Sequence, residues 1–515
     1  MANRSYRSGF AFGISSFIVV ALLSVISAVG TARVYGVHII GEFALAYAPV
    51  AALWVLSTAK EQAALIKEIT QLEPRHPRVT QLFAAVFTFS SCLTAAMATL
   101  AALVSWFVFR GPLHHPRLVD PAFASLAGYL IVTNTAWNID SVFSAFVAGR
   151  QLFWVRVHET LSVMVIAIAI GLVWHSVWGL VLATIAGSLT ALIHRTIVVR
   201  QLVRIRLTRR EYAIGLRALP DLLRFGLRIT PGNMAQGLSQ QAGIWAVGAV
   251  APAALVGAYS RAQTVPERFQ TVNMRIAEVL YPTLVGRRVE GDGEGFDRAL
   301  VDSARYGMIG MLLVAACGGG AARGVLDVFG PGFNRAAPAL ALLLLFPALT
   351  CVMFAQTQAL LAVNRPGVTS VIQVLRLAVT IGLTFTLTPA IGISGPAVAL
   401  VAGLLLAIGL NGISIRPFLT HRLHAVWPLR EQLSLVAAYV ADFAVARQVE
   451  HVFPSLAGLP ASLVAGTMAY IAALVVCGGL NKRDRARLAE AFVKLRSWRS
   501  GRSVRPATVV STSGE

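Results

Sequence analysis

Fourteen long apolar spans occupy most of this chain, and the block of six that begins near residue 221 repeats the first block in register. Residues 40–46 read IGEFALA and residues 256–262 read VGAYSRA, while 179–189 read GLVLATIAGSL and 395–405 read GPAVALVAGLL. Both pairs lie 216 positions apart, and chance supplies no reason for two distant matches to share an offset. A duplicated block of membrane-length segments is the pattern of internally repeated transporters. With 56% hydrophobic residues, 13% charged residues and a mean hydropathy of +0.70, the solvent is lipid. Each span must then satisfy its own backbone groups, which long unalternating runs do as helices. The short alternating strands of a membrane barrel are absent.

The spans fall near residues 9–31, 37–58, 80–108, 122–148, 157–175, 178–199, 221–250, 253–284, 303–321, 336–362, 367–388, 392–414, 431–449 and 460–480. The expected fold is an all-α polytopic membrane protein of about 14 transmembrane helices. Two parallel six-helix repeats form two lobes, 1–200 and 221–415, joined by a basic linker at 201–220. Two further helices lie in 416–480, and a basic tail follows at 481–515. The first span follows Arg4 and Arg7 and reads as an uncleaved anchor, because its apolar run exceeds a signal core and another span follows at once. Most of the 44 Lys and Arg fall on the side of the N-terminus, including the cluster from Arg195 to Arg217, so both termini are expected in the cytoplasm. The net charge of +21 then reflects contact with anionic headgroups, not nucleic acid.

Enzymatic chemistry finds little support. The loops on the side away from the termini are short, and no soluble domain could hold a catalytic pair. The GDGEG run at 291–295 lacks the preceding strand and the GK[ST] of a nucleotide loop, so it reads as a flexible acidic loop. His114 and His115 stand together without a third ligand, and Cys92, Cys317, Cys351 and Cys477 have no CxxC spacing and read as buried thiols. No metal or cofactor is expected.

Charges inside predicted spans stand out, because an ionisable group in hydrocarbon normally faces a cavity or a partner. Arg261, Arg268 and Arg275 recur every seven residues and so share one helix face, drifting by only about 20° per step. From Arg261 to Glu278 that helix rises about 25 Å, close to the hydrocarbon thickness. The ladder reads either as an anion-attracting cavity wall or as structural pairs with Glu267 and Glu278. The preceding span carries Arg224 and Arg228, then Asn233, Gln236, Gln240 and Gln241 beyond a kink at Pro231. Amides suit sugar hydroxyls and guanidinium forks suit phosphate oxygens, so the set fits a phosphorylated saccharide, unless the amides only bridge helices. Arg33 and Glu42 flank the first turn-around, and Asp140 follows Asn134 and Asn138. Asp140 and Glu42 are candidates for ion coupling, with a pairing of Asp140 to Arg150 or Arg156 as the alternative. Arg376, beside Gln373, is a further candidate cavity charge.

The twelve repeated spans, the additional pair, and the patterns IGEFALA, VGAYSRA, FGPGFNRAAPAL at 329–340 and GISGPAVALVAG at 392–403 resemble the Wzx-type polysaccharide flippases. These belong to the multidrug/oligosaccharidyl-lipid/polysaccharide exporter superfamily. The resemblance covers the chain up to about residue 480, and its motifs are loose glycine-spaced patterns. It implies a V-shaped pair of lobes around a cavity lined by spans one, two, seven and eight, where the arginine ladder and the amides fall. It also implies a polyprenyl-pyrophosphate-linked oligosaccharide as substrate, alternating access, a bacterial inner-membrane location, and work beside membrane lipids, a polysaccharide polymerase and glycosyltransferases. A multidrug or metabolite exporter, or a scaffold that no longer transports, remains the alternative within the same fold.

Overall fold

The structure, a computed structural model, describes residues 2–57, 61–146, 148–203, 208–227, 230–421, 428–454 and 458–479. Side chains are described from residue 19 onward, except at 63, 218, 221–229, 233, 236, 271, 272, 275 and 278. No strand occurs among the described residues. The first half contains α1 (Ala2–Leu56), α2 (Glu61–Ile69), α3 (Pro77–Arg110), α4 (Val119–Gly128), a π-helical turn (Tyr129–Thr133), α5 (Asn134–Ala145), α6 (Gly149–Val173) and α7 (Val177–Leu202).

Spans one and two together form α1, whose two passes meet at Gly36. The φ of 75° there suits glycine, which has no Cβ to clash. The break lies at the level of the α6–α7 loop. Tyr35 donates its hydroxyl to the Ala167 carbonyl on α6 (3.0 Å), and its ring centroid lies 6.5 Å from that of His175 in the loop.

The second half contains α8 (Arg209–Leu227), α9 (Thr230–Val250), α10 (Ala253–Val289), α11 (Gly293–Gly320), α12 (Ala322–Asp327), α13 (Ala337–Leu343), α14 (Leu345–Ala362), α15 (Pro366–Ile391) and α16 (Gly395–Ile415). Then come α17 (Leu429–Val452) and α18 (Gly458–Val476). Two expectations change here. α8 begins at Arg209, inside the stretch expected as linker, and α9 (Thr230–Val250) covers the described remainder of the span expected at 221–250. A methyl group at Gly215 would run into the Gln81 carbonyl, so α8 is seated on α3. The GDGEG run is also no flexible loop, since Asp292 caps α11 by accepting from the Gly295 amide (2.8 Å). The tail at 481–515 lies outside the described residues.

Eight helical stretches among the described residues are long and apolar enough to cross a membrane, and two of them, Val19–Leu56 and Pro366–Phe418, are long enough for two passes. The 37-residue α10 is not among the eight. It has the length to cross, but its charges suit contact with protein or water, not with lipid.

The repeat register reappears in space where the halves meet. A methyl group at Gly41 on α1 would collide with the Ala253 carbonyl of α10, and one at Gly257 on α10 would collide with the Val37 carbonyl of α1. Gly41 and Gly257 are 216 apart, as are Val37 and Ala253, so the contact is symmetric under the duplication. Two helices can approach at backbone distance only where side chains are absent. Arg33 reinforces the seam from α1 by donating its Nε to the Val328 carbonyl (2.9 Å). A single apolar cluster, including buried Ile40, Leu45, Val256 and Tyr259, continues through it into both halves.

The additional pair docks on α11. Gly320 is pressed against the Phe443 carbonyl and Ala446, and Arg305 joins Glu431 (3.0 Å) and the Gly479 carbonyl (2.9 Å). Cys317 donates to fully buried Asp442 (3.1 Å), so that thiol is a hydrogen-bond donor at a helix junction. Cys92, expected to be buried, is exposed.

Candidate substrate path between the two halves

Beyond the Gly257 contact, α10 presents two different sides. One is tied to its own half. Gln270 donates to Thr350 (3.2 Å), Asn273 donates to the Pro347 carbonyl (2.7 Å), and Cys351 donates back to Asn273 (2.7 Å). The other side meets the first half. Arg261, one turn past the seam, reaches Thr31 on α1 through Nη2 at 3.5 Å, and its Nε is buried without a partner. Arg268, seven residues on, is exposed along the same face.

The structural alternative for this ladder was neutralisation by Glu267 or Glu278. Glu267 accepts from Gln263 (3.1 Å) and attracts Arg268 from farther off, and among the described residues neither Arg261 nor Arg268 lies within ion-pair distance of a carboxylate. The side chains of Arg275 and Glu278 lie outside the described ones. So does Arg228 entirely, together with the side chains of Asn233 and Gln236. Gln240 is partly exposed, and its carbonyl accepts from Gln263 (2.9 Å), which fastens α9 to α10.

Comparison with the duplicated partner shows what is particular to α10. At the offset of 216, Ser260, Arg261, Gln263, Thr264, Glu267 and Arg268 correspond to Ala44, Leu45, Tyr47, Ala48, Ala51 and Ala52 of α1. The interface between the halves therefore has one apolar wall and one polar, cationic wall. Two helices of common origin have kept the glycine contact and diverged in everything that faces the space beside it.

Two expected site residues are placed differently. Arg376 is 1% exposed and lies within the second half, where it donates to Gln373 (3.1 Å) and Ser239 (3.5 Å) and lies 5.9 Å from the Phe346 ring. It belongs to a buried polar face of α15 with Thr369, Gln373, Thr380, Thr384 and Thr388, so in this conformation it does not line the interface. Asp140 is paired, though with neither Arg150 nor Arg156. Its carboxylate takes Nε and Nη2 of Arg195 at 2.9 and 3.3 Å, and the same Nη2 holds Glu159 at 2.7 Å. Arg195, expected at the head of the basic linker, is thus buried inside the bundle with its side chain 2% exposed. Glu42 lies 3.5 Å from His38, one turn away on α1, in a pair that is largely open.

A model of the polysaccharide biosynthesis protein family matches residues 44–305. No curated protein sequence matches the chain. The fold is similar to that of the lipid II flippase MurJ in an inward closed conformation, with a TM-score of 0.69 at 11% identity over 91% of this chain and 98% of that one. A multidrug resistance MATE family transporter of the MOP superfamily is similar in its inward-facing conformation, with a TM-score of 0.59 at 16% identity over 81% and 95%. Its outward-facing conformation gives 0.54 at 15% identity over 81% and 96%.

Proposed function

The chain belongs to the polysaccharide biosynthesis protein family, and from that premise we propose that it flips a polyprenyl-pyrophosphate-linked oligosaccharide across the bacterial inner membrane by alternating access. The observation that carries this reading is the one-sided cationic wall of α10, unpaired among the described residues and opposed by the apolar copy of itself. The physical problem is an anionic, hydroxyl-rich headgroup that must cross hydrocarbon while its tail stays in lipid. Guanidinium groups at Arg261, Arg268, Arg275 and Arg228 offer forks for the pyrophosphate. The amides of Asn233, Gln236 and Gln240 offer donors and acceptors for sugar hydroxyls. The excess of basic residues beside the termini orients the chain with both ends in the cytoplasm. The Gly41–Gly257 seam then closes the outer side, and the cavity loads from within. No bond is made or broken in this cycle, so the protein acts as a transporter beside the polymerase and glycosyltransferases, not as an enzyme.

Arg268→Ala is expected to reduce oligosaccharide translocation at least tenfold at unchanged membrane level, and Arg268→Lys to keep part of it, because the charge remains while the fork is lost. Complementation of a flippase-deficient strain, with protein level measured in the same membranes, reads both. A cation exporter would tolerate the alanine, and a scaffold without transport would show no difference between the two variants. Exchanging charges between Arg268 and Glu267 separates attraction from packing. If Arg268→Glu with Glu267→Arg restores translocation, the arginine is structural; the expected result is no rescue.

Orientation has its own check. A cysteine at His114 should react with an impermeant thiol reagent added to intact cells, whereas one at Arg206 should react only after lysis. The reverse pattern would invert the topology and the direction of transport.

A further inference from the structure

We infer that the triad of Asp140, Arg195 and Glu159, two carboxylates on one guanidinium, binds one exchangeable proton, and that this chemistry exists at these positions in only one half of the duplicated chain. Among the described residues Arg195 is the cation within ion-pair distance of the two carboxylates, while Arg156, exposed to the surroundings, attracts Asp140 only from farther off. The side chains of Arg195, Asp140 and Glu159 are 2%, 14% and 33% exposed. A second carboxylate on one guanidinium is costly in such a place, and a proton on either carboxylate relieves it. Nη1 of Arg195 is buried without a partner, so the guanidinium is not saturated by its present contacts.

The duplication shows that helix packing does not require this triad. α6 and α15 start at Gly149 and Pro366, an offset of 217, and α7 and α16 match at 216. Gly187 packs on Val163 in the first half as Gly403 packs on Thr380 in the second, which fixes the correspondence in space. Asp140, Glu159 and Arg195 then correspond to Gln356, Arg376 and Asn411. The second half builds the same helix contacts with no carboxylate at any of the three positions. Its charge there is fixed, because a guanidinium does not titrate in the working range. At these three positions, only the first half carries groups that can exchange a proton.

The surroundings provide a route. Charged and titratable neighbours are Arg156 and His158 on α6, His194 on α7 and, electrostatically coupled to Glu159, Tyr47 on α1. α2 meets α5 through Leu65 and Ile69, and α3 meets it through Ser90 and Thr94, which donate to Asn134. Two turns along the helices from the triad, about 10 Å, a small pocket is lined by hydroxyls of Tyr47, Ser125, Tyr129, Thr133, Thr184 and Ser188. Glu159 is the more open carboxylate and the point of proton entry. A role in driving transport rests on the flippase reading; proton binding does not.

The test uses the full chain in lipid nanodiscs without substrate. Proton uptake and the infrared carbonyl band of protonated carboxyl groups are followed from about pH 9 to about pH 5. Glu159→Gln and Asp140→Asn each leave Arg195 with one carboxylate, so both should fold. Each should take up one proton fewer than the wild type and lose the same component of the band, while Asp442→Asn should leave that component in place. If both variants bind as many protons as the wild type, or if sodium at constant pH abolishes the wild-type component, the proton assignment is wrong. Normal proton uptake by a protein that fails to flip any lipid-linked oligosaccharide would sink the flippase reading and leave this inference standing.

Discussion

Gly41→Leu is expected to abolish translocation while leaving the protein in the membrane, because the new side chain must occupy the space held by the Ala253 carbonyl. Overpacking of a close contact costs about 1–3 kcal/mol, and here the obstacle is backbone, which cannot rotate aside. Placed on the closed state alone, that cost shifts the balance between conformations by roughly 5- to 150-fold. The shift can be read without any substrate. Ala258 is fully buried beside the seam, so a cysteine there should be protected from an impermeant thiol reagent in an otherwise unaltered chain lacking the exposed Cys92. Adding Gly41→Leu should expose it, and Gly257→Leu should do the same by the symmetry of the contact. Unchanged protection in both variants would show that the seam is not a gate.

Arg195→Gln should be the most damaging single substitution in the first half. It leaves Asp140 and Glu159 without the cation that bridges them, and breaking a buried pair in this way costs about 3–5 kcal/mol, toward the lower end here because Glu159 is one-third exposed and Arg156 still attracts Asp140. Thermal unfolding in detergent should show a large drop in Tm, or the protein should fail to accumulate. Adding Glu159→Gln and Asp140→Asn should recover most of the loss, since a neutral triad has no charge to compensate. Failure of the triple variant to recover would mean that Arg195 acts through packing of its stem and not through its charge.

The repeat offset was legible in the chain, and it names Gly41 and Gly257 as equivalents. What no offset could reveal is that these equivalents touch, because a register says nothing of where the symmetry axis passes. The cationic face of α10 was likewise readable from its seven-residue spacing. The hydrogen bond from Gln263 to Glu267 was not, since an amide announces no such preference. Arg376 was misplaced for a related reason: in a helix apolar on its lipid side, a polar stripe faces inward, but the pattern does not distinguish the middle of a half from the space between halves. The pairing of Asp140 with Arg195 spans 55 residues and three helices, and Arg195 was hidden among the basic residues that follow it in sequence. Applying the offset to Asp140 and Arg195, which finds Gln356 and Asn411, would have singled them out as positions where the halves differ in charge.

The glycine seam has an electrical consequence. Its central contact consists of backbone carbonyls and glycine Cα groups meeting across two helices, and Arg33 beside it holds a backbone carbonyl and not a carboxylate, so no ion pair is made or broken there when it opens or shuts. Ionic strength screens charges and membrane voltage acts on them, and neither has much purchase on such a junction. The opening rate of the seam should therefore depend only weakly on salt and voltage, and any stronger dependence that transport shows should come from the arginines of α10.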